Sequence, residues 1–200
     1  MLQKTYARIR QLFLGNNGYL RTGDLLKNGV TTLQIRQLLE DGIIEKVSHG
    51  IYWWLEDDLK KPKNYRYLEV QLADTKSVIC MESALYLGGL LKKEPAVLSV
   101  ATSRTDRSRI RTNFPIKRRY FAEHNIQEYV KTLETPCGTV QYYSIDRSVI
   151  DCIRLRSELE EGQLEPILKA YKARKDKNIE DYMSYATAMG IQRVAEAFLK

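Results

Sequence analysis

The chain has 200 residues, a formal net charge of +7 and a hydrophobic fraction of 44%. This length suits one medium domain or two small ones, and the composition is typical of a globular protein with a real core. No apolar run approaches the ~20 residues needed to cross a bilayer, which excludes a membrane-spanning protein.

The first 16 residues alternate charged and apolar side chains at helical spacing, whereas a signal peptide has an uninterrupted apolar core. The three cysteines, Cys80, Cys137 and Cys152, are far apart and form no CxxC pair or Cys/His cluster. We therefore expect reduced cysteines that pack in the interior, a cytoplasmic location, and neither a metal nor a cofactor.

The positive charge is concentrated in one segment. Residues 92–119 contain nine Lys and Arg against two Asp and Glu, a net charge of +7 that equals the excess of the whole chain. A concentrated basic stretch can be the footprint of a polyanion, and a solvated Lys/Arg loop is the alternative. The sequence leaves both interpretations open.

Apolar residues at spacings of three and four predict a helix over residues 2–14. Residues 19–21 are short and extended, and Thr22 is well placed as the N-cap of a short helix that Gly29 ends. Thr31 is expected to cap a third helix, which runs to residue 41.

Two runs rich in β-branched and aromatic residues follow, at 43–47 and 50–54. Ser48 and His49 would join them as a hairpin, with Gly50 free to take a positive φ. Helix, helix, tight turn, helix and hairpin is the order of a winged helix-turn-helix. We therefore predict a winged helix-turn-helix DNA-binding domain over residues 1–55.

The charged segment 56–65 contains Pro62 and predicts a linker, after which residues 66–200 predict a mixed α/β domain. The expected fold class is α+β, with a small sheet and several helices in the second domain. Strand candidates in that domain are 97–102 and 139–145, and 77–91 predicts a short apolar strand or turn followed by a helix. Further helices are predicted over 66–73, after a cap at Asp146, and near 162–173, 178–188 and 191–199.

Projecting residues 31–41 onto a helix places Ile35, Leu38 and Leu39 in one apolar sector. The side chains that point away from this sector are Thr32, Leu33, Arg36, Gln37 and Glu40. In the major groove arginine suits guanine, glutamine suits adenine, and threonine suits a phosphate or a thymine methyl group. The candidate DNA contacts of this domain are Thr31, Thr32, Gln34, Arg36, Gln37, Lys46, Ser48 and His49.

A protein-binding module is the alternative, since winged helices also serve in protein–protein contacts. Three acidic residues, Glu40, Asp41 and Glu45, lie close to the proposed DNA side. The histidine at the hairpin turn, His49, is by itself typical of a turn residue.

Several stretches carry a family likeness. GYLRT at 18–22, LL at 25–26, GV at 29–30, LLEDG at 38–42 and GIY at 50–52 resemble the winged-helix domain of the AbiEi family antitoxins. These are the repressor half of type IV toxin–antitoxin (abortive infection) systems. ESALYLGGL at 82–90 and YYSIDRSVID at 142–151 are similar to two later segments of the family, with Gly89 and Ser148 as departures.

The resemblance covers most of the chain and implies a two-domain phage-defence regulator. Its N-terminal domain would bind operator repeats in double-stranded DNA and repress its own operon, and its second domain would neutralise a cognate nucleotidyltransferase toxin. It also implies that DNA contacts extend into basic surface of the second domain. The matching candidates are Arg104, Arg107, Arg109, Arg111, Lys117, Arg118 and Arg119.

An enzyme is not expected. The D-x-K spacing at 58–60 resembles part of a nuclease site, but it falls in the predicted linker and has no strand around it. The sequence has neither a Gly-Ser turn followed by paired acids nor a G-x-S-x-G nucleophile elbow. We therefore predict no catalytic residue.

Overall fold

The computed structural model describes residues 2–56 and 59–199, and its architecture is α+β, which confirms the predicted fold class. The chain divides into two compact units. Unit 1 contains the residues up to 75 together with segments 108–114 and 134–140. Unit 2 contains segments 76–107, 115–133 and 141 onward.

Unit 1 contains four helices within the described residues, α1 (Gln3–Gly15), α2 (Thr22–Lys27), α3 (Thr32–Glu40) and α4 (Tyr65–Ala73). It also contains three strands, β1 (Tyr19–Arg21), β2 (Ile44–Ser48) and β3 (Ile51–Trp54). The strands form an antiparallel sheet in the order β1-β3-β2. These elements lie where the sequence predicted them, and Gly50 takes the expected positive φ of 67°.

Helices α1 and α3 pack on this sheet. The ring of Phe13 lies 5.2 Å from that of Trp54, and Ile9 and Leu38 are buried beside them. Burying side chains of this size stabilises the fold by about 1.5–3 kcal/mol each. At Gly18, where φ is +86°, an added Cβ would lie 2.4 Å from the ring of Trp53, so this position of the GYLRT stretch requires glycine.

The predicted N-cap at Thr22 is wrong. Arg21 occupies the cap position, with extended φ and ψ, and Thr22 is the first residue of α2. The backbone N–H of Thr22 donates to the carbonyl of Gly50 at 2.8 Å, so the chain passes from β1 directly into the helix. The Thr22 hydroxyl donates instead to the hydroxyl of Tyr52 at 3.4 Å.

The compact units do not follow the boundaries predicted at 55 and 65, because α4 belongs to unit 1. The buried carboxylate of Glu69 on α4 accepts hydrogen bonds from Tyr19 Oη at 2.9 Å and from Lys61 Nζ at 2.6 Å. Lys61 also pairs with Glu45 of β2. Two residues of the predicted linker, 57 and 58, lie outside the described residues, and with them the first position of the D-x-K spacing.

Unit 2 contains five helices within the described residues, α5 (Met81–Leu87), α6 (Ile145–Arg154), α7 (Leu164–Ala173), α8 (Ile179–Ala188) and α9 (Gln192–Leu199). The strands that follow α4 are β4 (Val78–Ile79), β5 (Leu98–Ser103), β6 (Ile116–Phe121), β7 (Val130–Thr135) and β8 (Gly138–Tyr143). They form a mixed sheet in the order β6-β5-β4-β8-β7, and the adjoining ends of β7 and β8 fall in the segment of unit 1 at 134–140. All helices predicted after residue 160 are confirmed.

Strands β6 and β7 were not predicted from the sequence. Neither sequence, IKRRYF or VKTLET, alternates strictly between apolar and polar residues, and each contains charged side chains within the strand. The predicted cap at Asp146 is also wrong, because α6 begins at Ile145 and the hydroxyl of Ser144 accepts from the backbone N–H of Arg147 at 3.3 Å. Asp146 Oδ1 instead accepts from Tyr171 Oη at 2.7 Å.

The three cysteines are free, and Cys80 and Cys152 are fully buried. Burial raises the pKa of both thiols well above its usual value, so they remain protonated. Within the described residues, no helix combines the length and the apolar character that crossing a membrane requires.

Candidate nucleic-acid interface

The first turn of α3 is fixed by a reciprocal pair of hydrogen bonds. Thr31 Oγ1 accepts from the backbone N–H of Gln34 at 3.2 Å, and Gln34 Oε1 accepts from the backbone N–H of Thr31 at 2.9 Å. This capping box confirms the predicted cap and satisfies two N–H groups at the helix start. Thr31 and Gln34, both predicted as DNA contacts, therefore position the helix through their side chains.

The outer face of α3 is open. Ile35 and Leu38 are buried, whereas Thr32 and Arg36 are exposed and Gln37 is half-buried. Arg36 Nε lies 3.9 Å from the carboxylate of Glu40, and both side chains are about 70% exposed, at 73% and 69%. An exposed pair of this kind contributes only about 0–1 kcal/mol, so it competes weakly with a nucleic-acid ligand for the guanidinium.

The β2–β3 hairpin presents two cationic or titratable side chains. Lys46 and His49 are exposed, and the pairing register of the strand shifts between Lys46 and Ser48. Ser48 is only 7% exposed. Ser48 is therefore corrected from a DNA contact to a residue packed against the turn.

Segment 108–114 packs against this hairpin and against α4. Asn113 Nδ2 donates to the backbone carbonyl of Lys46 at 2.9 Å. The ring of Phe114 meets that of Tyr65 edge-on at 6.5 Å, and the guanidinium of Arg66 lies 5.1 Å from the same Phe114 ring. This part of the basic segment is thus attached to the hairpin at one side and to α4 at the other.

This attachment brings one arginine of the basic segment to the hairpin. A shallow pocket is lined by residues 46–49 of the hairpin and by residues 111–113. Arg111 is exposed at this pocket, next to Lys46 and His49. The sequence placed these residues in different domains, and the contact was missed because it joins positions more than 60 residues apart.

The seven basic candidates of segment 104–119 differ in exposure. The exposed ones are Arg109 and Arg111 in unit 1 and Arg104, Arg107 and Lys117 in unit 2. Arg119 is 4% exposed, pairs with Glu158, and is corrected from a DNA contact to a buried ion-pair partner. Lys117 Nζ lies 3.5 Å from the same carboxylate, and Arg118 lies 3.6 Å from Asp106.

A buried ionic cluster in unit 2 was also missed. Arg147 Nε lies 3.5 Å from Asp151 Oδ2, and both side chains are fully buried. The guanidinium of Arg147 stacks 3.3 Å from the ring centroid of Tyr143, and Tyr185 Oη donates to Asp151 Oδ1 at 3.0 Å. Burial raises the pKa of Asp151 against the opposing effect of the two arginines beside it. The spacing of four between Arg147 and Asp151 was the available signal.

Unit 2 also has a cavity of about 750 Å³. Apolar side chains such as Val97 and Ile167 form part of its wall, together with charged groups of both signs, including Glu82 and Lys117. This mixed lining does not select one ligand charge. Within the described residues, no group of three or more His, Cys, Asp or Glu side chains is arranged to hold a metal ion.

No family model matches the chain, and no curated protein matches it. A solved structure with a similar fold is the crystal structure of RV2827C protein from Mycobacterium tuberculosis, with a TM-score of 0.74 and 12% sequence identity. The likeness covers 100% of this chain and 77% of that chain. At this identity it shows a shared fold alone, and the resemblance to the AbiEi antitoxins stays a hypothesis.

Proposed function

We propose that the elements from α1 to β3 form a winged helix-turn-helix and that the protein is a cytoplasmic DNA-binding repressor of its own operon. The observation that carries this proposal is the exposed face of α3, with its start locked by a capping box, in the same unit as a hairpin that Arg111 flanks. In this reading α3 is the recognition helix and the β2–β3 hairpin is the wing.

The dimensions of α3 fit the major groove. An α-helix with its side chains is about 10–12 Å in diameter, and the major groove of B-DNA is about 12 Å wide. Arg36 and Gln37 would meet base edges, where arginine and glutamine make paired hydrogen bonds with guanine and adenine. Lys46, His49 and Arg111 would meet the phosphate backbone. This role is binding alone and needs no catalytic group.

The positive charge of the surface supports DNA, a polyanion, over a basic or neutral ligand. Each Lys or Arg that neutralises a phosphate releases counterions, so affinity falls with salt by a slope of about 0.9 per contact. Lys46, Arg109 and Arg111 are exposed on unit 1, which also carries the exposed Arg36. The acidic Glu40 and Asp41 lie at the C-terminal end of α3, away from its N-terminal turn.

The experiment is a titration of the full chain with the DNA upstream of its own reading frame and with a scrambled DNA of equal length. We expect tighter binding to the upstream DNA and a protected inverted repeat in a footprint. Equal affinity for both DNAs at every salt concentration contradicts the repressor proposal. No binding to either DNA contradicts DNA binding altogether.

The antitoxin half of the proposal rests on the family resemblance. We propose that the partner is a nucleotidyltransferase toxin encoded beside this chain. Co-expression of the chain with the neighbouring nucleotidyltransferase should restore growth that the toxin alone prevents. Absence of such a neighbouring reading frame, or of any rescue, would leave an orphan regulator.

The alternative function is a protein-binding module that uses the same elements without reading DNA. It is favoured by two exposed leucines, Leu26 on α2 and Leu33 on α3, because exposed apolar residues often mark protein contacts. The DNA titration separates the two functions, since a module of this kind shows no preference for the upstream DNA.

A further inference from the structure

We infer that Leu33 is a specificity residue that reads the 5-methyl group of thymine in the major groove. This inference rests on the proposed DNA-binding function. It assigns a role to the most exposed side chain among the large apolar residues of α3, at 71% exposure.

The position of Leu33 is held firmly. It is the second residue of α3, between Thr31 and Gln34, whose side chains close the capping box around the first turn. N-terminal residues of a recognition helix are the ones that reach base edges. Because Arg36 and Gln37 follow at three and four positions, they lie on the same side of the helix as Leu33.

The core of unit 1 does not use this side chain. Ile35 and Leu38 fill the apolar side of α3, while Leu33 points away from them into solvent. A leucine exposed to this degree gains stability when it is covered by an apolar surface. The thymine methyl is the apolar group that the major groove presents, and the exposed guanidinium of Arg36 three residues later on the same helix favours DNA as the covering molecule.

Thr32 is the competing candidate for the same methyl group. It is exposed and precedes Leu33 by one residue, so its side chain points about 100° away around the helix. Its methyl offers a smaller apolar surface than the isobutyl group of leucine. The hydroxyl of Thr32 suits a phosphate, which leaves the base methyl to Leu33.

The experiment compares two versions of the upstream DNA, one made with thymine and one with uracil, which differ only in the 5-methyl groups. Wild type should bind the uracil DNA about fourfold to fifteenfold more weakly, since a buried methyl is worth ~0.8 kcal/mol and one or two contacts are expected. Leu33→Ala should bind the thymine DNA more weakly by a similar factor and show no difference between the two DNAs.

Two variants serve as matched controls. Leu2→Ala removes an exposed leucine outside α3, and Thr32→Ser removes the threonine methyl but keeps its hydroxyl. Both should retain the difference between thymine and uracil DNA. Circular dichroism should show all three variants folded, because each position is exposed.

A thymine-to-uracil difference that persists in Leu33→Ala overturns the assignment, and its loss in Thr32→Ser transfers the methyl contact to Thr32. Equal binding of both DNAs by wild type also overturns the inference while leaving the DNA-binding proposal intact. Failure of wild type to bind the thymine DNA at all overturns both.

Discussion

Two arginines of unit 2 and two arginines of unit 1 have opposite environments. In unit 2, Arg119 and Arg147 are buried against the carboxylates of Glu158 and Asp151. In unit 1, Arg36 and Arg111 are exposed on the helix and beside the hairpin. A guanidinium whose charge is buried and paired stabilises one folded arrangement, whereas an exposed one remains able to bind a polyanion.

The difference between buried and exposed arginines explains why the charge density of the sequence alone predicts the DNA contacts poorly. The basic segment 92–119 carries the chain's excess charge, yet three of its cations on β6 lie near acidic groups. The cations that remain suited to DNA are those on the irregular stretch before β6. Burial and pairing, rather than charge density, therefore select the candidate contacts.

The largest expected effect is on folding stability and concerns the buried ion pair of unit 2. Arg147→Ala should lower the free energy of unfolding by about 3–5 kcal/mol, because it leaves Asp151 buried without its main partner. Chemical denaturation measures this, with Lys169→Ala on the exposed face of α7 as a control that should change little. If Arg147→Ala lowers the free energy of unfolding by less than ~1 kcal/mol, the ionic cluster does not stabilise the fold as expected.

The second largest effect is on DNA affinity and concerns the exposed arginine of α3. Arg36→Ala should weaken binding to the upstream DNA by about 10-fold to 100-fold, the ~1–3 kcal/mol of one paired contact to a base, and should leave stability nearly unchanged. A fluorescence titration measures the affinity, and Arg193→Ala on α9 is an exposed arginine control. Equal losses in both variants would indicate an effect of net charge alone.

A smaller effect tests how α3 is held. Thr31→Ala should destabilise unit 1 by about 1 kcal/mol, because the N–H of Gln34 loses its acceptor. Thr32→Ala, one residue later and outside the capping box, should cost less. Thermal unfolding measures the stability of both variants. An equal loss of stability in the two would show that the capping hydrogen bond of Thr31 is not the cause.

The smallest expected effect concerns pH. Burial raises the pKa of Glu69 above its ordinary 4.5, despite the opposing effect of Lys61. The folded state therefore binds the proton more tightly, and this group's contribution to stability falls as pH rises above 4.5. Glu69→Gln lacks this dependence, so its stability relative to wild type should increase from pH 4.5 toward neutral.

Denaturant unfolding of wild type and Glu69→Gln at several pH values measures this slope. Tyr19 and Lys61 bond to the same carboxylate, so a uniform offset between the two proteins is also expected. A stability of Glu69→Gln that falls relative to wild type as pH rises would show that the Lys61 pairing outweighs burial at Glu69.

The sequence predicted the elements that have strong periodicity. The helices after residue 160 and the order α1 to β3 follow from apolar spacing, and the cap at Thr31 follows from residue type. Strands β6 and β7 were missed because their exposed positions interrupt the apolar pattern. The pairing of Arg119 with Glu158 and the contact of Asn113 with Lys46 join distant positions, which a single sequence does not reveal.

The salt dependence of DNA binding tests the central claim most directly. For Arg111→Ala, the slope of log affinity against log salt should become shallower by about 0.9, the value of one phosphate contact. Arg118→Gln, whose wild-type side chain lies against Asp106, should keep the wild-type slope. An unchanged slope in Arg111→Ala together with a shallower one in Arg118→Gln would contradict the account and place the DNA contact on β6.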